Sequence, residues 1–516
     1  MSPVQDQLRD ELQRLDDLMV AAEKAHEATL QGVHPSHFYS ACNLLHYLAL
    51  RSRDIRGLQE RLHEEGLSSL THSESHIRSQ LLAVLRRLGA EPDEAPPSFR
   101  IGAERIQQAA KGIFGPCSAD VIPCIMVTFD TSFAQDFDLV KRLLQAGMNI
   151  ARINCARDDE NTWLQMIGQI RKATEATGLA CRIYMDLAGP KIRTKIEGKK
   201  KNRVKLQTGE RFYLYDDYCL YDDLPRVGCT LPGIIVQMQV GDRVLFDDGV
   251  VETTVIAKHP FAAELQVDRI SGKPFLKGER GINFPDTIIT LPALTGFDRE
   301  CLPFIQEHAD MVGFSFIQTV SDLVELQEAL GDRPVPIIIK VEKAGAVANL
   351  PALILQGMTQ ERYGVMIARG DLAVEIGFER LSEIQEEIMW LCEAAHAPVI
   401  WATQVLESLN KKGIATRAEV TDAATAAMAE CVMINKGVNT VQVIDTLKDI
   451  FYRSARHREK KRYTFRPLSI ARNFLETKRE KEGKGINEEE VVASDSRSGS
   501  PAAFERMSNN DTLGIP

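Results

Sequence analysis

A chain of 516 residues with 44% hydrophobic and 26% charged side chains is long enough for about three packed domains at ~100–200 residues each. No apolar run approaches the ~18 residues needed to cross a bilayer, and a net charge of −10 disfavours nucleic-acid binding, which draws on clustered Lys and Arg. The opening MSPVQDQLRDELQRLDDL is acidic and amphipathic instead of basic and then apolar, so no secretory leader is expected and the expected location is cytoplasmic.

Residues 1 to about 89 read as helical. Leu8, Leu12, Leu15 and Met19 recur at three- and four-residue spacings, and Thr71 with Glu74 reads as a capping box ahead of IRSQLLAVLRRLG. His72 and His76 are four apart, a spacing read as a solvated helix face in preference to a metal pair. The Pro-rich acidic stretch AEPDEAPPS (90–98) reads as a linker, which gives a helical N-terminal domain with linker over 1–115.

From about 120, short apolar strands alternate with amphipathic helical stretches: CIMVTF, MNIARIN and CRIYMDL, then MVGFSF, VPIIIKV, YGVMIARGD, APVIWATQ and CVMIN. Eight such repeats predict an α/β chain built on a (β/α)8 TIM barrel, split between 116–193 and 286–460. A doubly wound sheet would expose a Gly-rich turn after its first strand, and VTFDTSF has none. The intervening 194–285 has the short alternating strands of an inserted small all-β domain, which would emerge at the barrel mouth as a lid. The basic run EGKKKNRVK within it reads as a loop or hairpin tip, and the polar tail 476–516 is expected to be disordered. The ten cysteines include no C-x-x-C pair and are read as reduced thiols.

Barrel enzymes draw their reactive groups from the C-terminal ends of different strands. Here those ends carry Arg152 and Asn154, Asp186, Lys340 and Glu342, Arg369 to Asp371, and Thr403 with Gln404. In VPIIIKVEKAG, strand alternation puts Ile338, Lys340 and Glu342 on one face and Ile339 and Val341 on the other. Glu342 and Asp371 are two hard oxygen donors suited to Mg2+ or Mn2+ shared with water and a phosphorylated substrate. Lys340, Arg152 and Arg193 could stabilise a transferring phosphoryl group, while Gly370-Asp371 opens a helix whose first N–H groups suit an anion. The alternative for Lys340 and Glu342 is a salt bridge that neutralises itself.

The runs MNIARIN, MDLAGPKIRT, DDG, GINFP, SFIQTVSDL, IIIKVEKAGAV, VMIARGDLAVEI, WATQVLESLNKK and TRAEVTD come in the order seen in pyruvate kinases, and the chain resembles that family over about 122–435. The resemblance implies phosphoryl transfer from phosphoenolpyruvate to ADP, giving pyruvate and ATP in glycolysis, by a homo-oligomer. By motif, Arg152 resembles the arginine on the substrate phosphate, and Asn154 a neighbouring phosphate and cation ligand. Arg193 resembles a nucleotide-phosphate arginine, and Arg280 takes the place of a lid lysine that meets the nucleotide. Lys340 resembles the transition-state lysine, Glu342 and Asp371 the divalent-metal ligands, Gly370 the N–H donor to the substrate carboxylate, and Thr403 the threonine on the protonated face of the enolate.

Some positions depart from the pattern. Where many members hold potassium with Asn, Ser, Asp and Thr and continue with a glutamate, this chain has Ala156 for the serine, Leu187 for the threonine and Lys191 for the glutamate. The expectation is that the Lys191 ammonium, near Asn154 and Asp186, replaces the monovalent ion, so that potassium is not required. ARD stands for the usual SHG at 156–158, TFDT for TIGP, and NKGV for SGET at 435–438. From their polarity, the residues after about 460 are not expected to form the family's C-terminal effector unit. These departures keep two alternatives open: a non-catalytic homologue that binds phosphoenolpyruvate or nucleotide, and a metal-dependent enolate aldolase or lyase.

Overall fold

Eight short strands close on themselves: β1 (Cys124–Thr128), β2 (Ile150–Asn154), β3 (Arg182–Asp186), β4 (Met311–Phe314), β5 (Ile337–Val341), β6 (Tyr363–Ala368), β7 (Val399–Ala402) and β8 (Cys431–Ile434). Each pairs in parallel with its sequence neighbours and β8 pairs with β1, so the cylinder has no open edge. The computed structural model describes residues 2–92, 99–116, 123–196, 202–287, 289, 291–455, 458–459 and 462–463. The reading of 476–516, and those parts of the linker and of the basic run that fall at 93–98 and 197–201, lie outside the described residues.

The α/β barrel follows from strict alternation along each strand. Cys124 and Met126, Ile150, Tyr184, Met311, Ile338, Met366, Ile400 and Cys431 point inward and form the cluster that fills the cylinder. Their odd-numbered or even-numbered neighbours, such as Val127, Ile153, Ile339 and Val432, point outward into the layer beneath the helices. The surrounding helices are bounded by local chemistry. For example, Asp136 caps Phe137–Ala146 by accepting from the Leu139 N–H at 2.9 Å, and Gly147 ends it at φ 121°.

Between β3 and β4 the chain builds a seven-stranded sheet, in the order Ile282–Asn283, Arg243–Phe246, Val251–His259, Ala262–Ile270, Arg211–Tyr215, Arg226–Cys229 and Thr194–Lys195. It has its own core, which includes Phe212, Leu214, Phe246, Val255 and Leu265. The sheet sits against the barrel. Asn283 donates to Glu375 at 3.0 Å, and the turn at Gly249 comes to Phe378, where an added Cβ would lie 3.5 Å from the ring.

The N-terminal helices are Pro3–Ala25, Glu27–Gly32, Phe38–Arg51, Arg56–Glu64, Ile77–Arg87 and Phe99–Phe114. Leu8, Leu12 and Met19 are buried as their spacing predicts, and they belong to one apolar cluster that runs on through the outer layer of the barrel to Phe451. Two local expectations fail here. The helix at Ile77 has no capping box: a 3-10 turn, Glu74–His76, precedes it, and the Ile77 N–H is received by Asn43 Oδ1 at 3.1 Å from another helix. His72 is exposed in a turn at φ 57° while His76 is buried, so the two share no helix face. Asn43 also donates to the Ala394 carbonyl at 2.7 Å, tying the N-terminal helices to the barrel. The last of these helices ends with Ile113 and Phe114 inside the barrel cluster, at the N-terminal ends of the strands. Among the described residues no helix is long and apolar enough to cross a membrane.

Candidate active site

The inward face that carries apolar side chains at the bottom of the cylinder carries charge at the top. One alternation step beyond Ile150 stands Arg152, beyond Tyr184 stands Asp186, and beyond Ile338 stands Lys340. Lys340 is 6% exposed, Asp186 1% and Glu342 4%. The Lys340 ammonium lies 3.1 Å from Asp186 Oδ1 and 2.8 Å from Glu342 Oε1, and donates to Ser315 Oγ at 2.6 Å. Arg152 pairs with Asp186 Oδ2 through Nε at 3.1 Å and through Nη2, and its Nη1 donates to Thr128 at 3.2 Å. Tyr184 donates to Asp186 Oδ1 at 2.9 Å. The Lys340–Glu342 salt bridge therefore exists, but as part of a cluster of two cations and two carboxylates.

Burial raises the cost of every charge here, and the partners decide the outcome. Burial pushes the Asp186 carboxyl up, yet the Lys340 ammonium and the Arg152 guanidinium outweigh it and hold Asp186 below its ordinary value. Burial likewise works against the Lys340 cation, and Asp186 and Glu342 overcome it and hold the ammonium above its ordinary value. Glu342 goes the other way. Burial raises its carboxyl, Lys340 draws it down, and the nearby Asp371 carboxylate pushes it up again, leaving it raised.

Asp371 lies in the first turn of the helix Arg369–Ile376, directly after β6. The Lys191 ammonium sits across its carboxylate, 2.9 Å from Oδ1 and 3.0 Å from Oδ2. This differs from the expected position of Lys191 near Asn154 and Asp186. The reason is that Arg152, Lys340 and Tyr184 already occupy both Asp186 oxygens, while Asn154 Oδ1 accepts the Ala156 N–H of its own turn at 3.0 Å.

Glu342 and Asp371 fit a divalent cation on the chemistry of this arrangement: two hard carboxylate donors just beyond the ends of the paired strands β5 and β6. Among the described residues no three His, Cys, Asp or Glu side chains converge as a cage. Two carboxylates suit an ion such as Mg2+, which keeps waters and substrate oxygens in its shell.

Thr403 follows β7 at φ 74°, and Gln404 at φ 60° continues this left-handed stretch. Such backbone persists only where neighbours hold it. Arg369 does so: its Nε donates to the Ala402 carbonyl at 2.8 Å and Nη2 to the Thr403 carbonyl at 2.5 Å, while its guanidinium pairs with Asp422 and lies 4.8 Å over the Trp401 ring. Gly370 lets Thr403 come close, since a Cβ there would lie 2.9 Å from Thr403 Cγ2.

Arg193 and Arg280 belong to the inserted sheet's side of the mouth. Arg193 forms an isolated bridge with Gly281 and donates to the Glu279 carbonyl at 3.3 Å, and Arg280 pairs with Asp247 at 3.2 Å. A cavity of about 40 Å³ lies between sheet and barrel, with Lys191, Asn283, Phe316, Lys343 and Asp371 on its wall.

The structure thus brings together Arg152, Asp186, Lys340 and Glu342, pairs Lys191 with Asp371, and sets Gly370 against Thr403. It gives Asn154, Arg193 and Arg280 other neighbours. Sequence reasoning missed Ser315, Tyr184, Thr128 and Gly313. Gly313 had a legible signal, a glycine inside a strand: a Cβ there would lie 1.8 Å from Tyr184 Oη and 2.4 Å from Asp186 Oδ1.

The profile of the family described as pyruvate kinase, barrel domain, matches residues 121–440. The pyruvate kinase of Geobacillus stearothermophilus is 31% identical over 331 residues, 62% of this chain and 55% of its own. The cytosolic isozyme of Glycine max is 30% identical over 310 residues, 58% of this chain and 59% of its own. The enzyme of Dictyostelium discoideum is 31% identical over 328 residues, 62% and 63% respectively. The chain spans less than two thirds of the length of each of these relatives. The match runs through the barrel and its inserted sheet and takes in every strand end described above, and on that ground the chain belongs to the pyruvate kinase family.

Proposed function

We propose that this protein transfers a phosphoryl group from phosphoenolpyruvate to ADP. The observation that carries the proposal is the buried Lys340 ammonium, held between Asp186 and Glu342 at the end of β5 with Arg152 alongside. The phosphorus–oxygen bond to the enol breaks as one to an ADP phosphate oxygen forms, and the enolate carbon takes a proton to give pyruvate. Arg152 and Lys340 face the charge spread over the transferring group. Mg2+ or Mn2+, which Glu342 and Asp371 would hold, would supply neutralisation of phosphate charge. The N–H groups at Gly370 and Asp371 receive the substrate carboxylate at a helix start, Thr403 lies on the side where the enolate is protonated, and Arg193 and Arg280, with Asn154, serve the nucleotide. Lys191 brings the positive charge that potassium brings elsewhere, so potassium is not required. In this reading 116–193 and 286–460 form the catalytic barrel, 194–285 its lid and 1–115 a helical domain.

A second reading, a homologue that binds these ligands without turnover, is favoured by Ala156 and Leu187, which lack the oxygens of the family's usual serine and threonine. A lactate-dehydrogenase-coupled assay separates the two. The expected result is turnover by the wild type and a loss of about a hundred- to a thousandfold in Lys340→Met, with similar rates in sodium and potassium buffers. Equal background rates from both proteins would eliminate the kinase reading, and several-fold activation by potassium would remove the role given to Lys191.

A further inference from the structure

We infer that Lys191 is a built-in competitor for the divalent cation, holding Asp371 until the metal displaces it. The inference rests on the proposed role of Asp371 as a metal ligand and adds an exchange that this role alone does not contain. Its basis is the two-oxygen contact of the ammonium with the Asp371 carboxylate, at 2.9 and 3.0 Å. Both oxygens that a metal would use are engaged by a cation of the chain itself. The side chains are 26% and 17% exposed, so the pair is screened less than a surface bridge.

The ammonium spans both Asp371 oxygens, so a divalent ion that takes them meets it at ion-pair distance, and metal binding is coupled to release of the ammonium. The surroundings let the ammonium move. Lys191 follows Gly189, at φ 62°, and Pro190 in the loop beyond β3, and its four-carbon stem can swing without backbone motion. It lies on the wall of the cavity of about 40 Å³ between sheet and barrel, which exceeds the ~10–15 Å³ that a single water needs. Among the described residues, Asp248, in the turn between Arg243–Phe246 and Val251–His259, is another anion under the influence of Lys191. Burial raises the Asp248 carboxyl, Lys191 draws it down and Asp371 pushes it up. An ammonium displaced from Asp371 thus keeps an anionic neighbour in Asp248.

Two measurements on the full-length protein without substrate test the exchange. The first is Mn2+ binding followed by electron paramagnetic resonance. Lys191→Met and Lys191→Gln are each expected to bind Mn2+ about fivefold tighter than wild type, the scale of a lost ion pair, and Asp371→Asn to lose most binding. The second is reductive methylation read by mass spectrometry. Lys191 is expected to label several-fold faster with saturating Mg2+ than without, while exposed Lys205 does not change, and to label fast in Asp371→Asn with or without Mg2+. Unchanged affinity in both Lys191 variants, or a labelling rate at Lys191 that does not respond to Mg2+, overturns the exchange while loss of binding in Asp371→Asn leaves the metal assignment standing. Undiminished Mn2+ binding by Asp371→Asn overturns the metal assignment, and the exchange with it.

Discussion

Asp186 accepts from Arg152, Lys340 and Tyr184 on two oxygens, with its side chain 1% exposed. Because its carboxyl is held below the ordinary value of about 3.9, its contribution to stability is complete above that value and is lost as the pH falls through the lower folded one. Denaturant unfolding across an acid series should therefore show wild-type stability falling below about pH 4, with a shallower acid limb in Asp186→Asn. A limb equally steep in both would assign the acid sensitivity to other groups. Local alternation was enough to place Lys340 and Glu342 together, since it needs only the pleat of a strand. The position of Lys191 was not legible, because it depends on which carboxylates distant residues had already occupied.

Strand β4 contributes little charge, but its shape makes the cluster possible. Gly313 faces inward beside Tyr184 and Asp186, and its missing Cβ is the space they use. Gly313→Ala is expected to destabilise the protein by about 1–3 kcal/mol, the usual range for overpacking, and to lower turnover by displacing Asp186 from Lys340. Thermal melts and the coupled assay read the two effects separately, and an unperturbed melt would contradict the packing argument. The eight strands were legible from apolar runs and their spacing, whereas the start of the helix at Ile77 was not. Its first N–H is satisfied by Asn43, 34 residues earlier, a partner that no local capping pattern can show.

Over the whole molecule, the apolar layer beneath the barrel helices continues into the N-terminal helices, and one of these helices closes the bottom of the cylinder with Ile113 and Phe114. Phe114 is 1% exposed. Phe114→Ala should cost about 3–5 kcal/mol, seen as a lower midpoint for the single unfolding transition that a continuous core implies. Separate melting of the N-terminal helices at an unchanged barrel midpoint would show that the two parts do not support each other. The helical character of the N-terminal stretch was legible in its periodicity. Its use as a stopper was not, because the apolar pattern of a helix does not say which surface it covers.

That stopper has a consequence for dissection of the protein. A chain begun at Cys124 would keep every strand and every charged group at the rim, yet its packed interior would be uncovered at the base. The apolar layer of Met126 and Ile338 that fills the cylinder would meet water at its lower face, and the barrel would lose the burial that Ile113 and Phe114 give it although no residue of the rim had been touched.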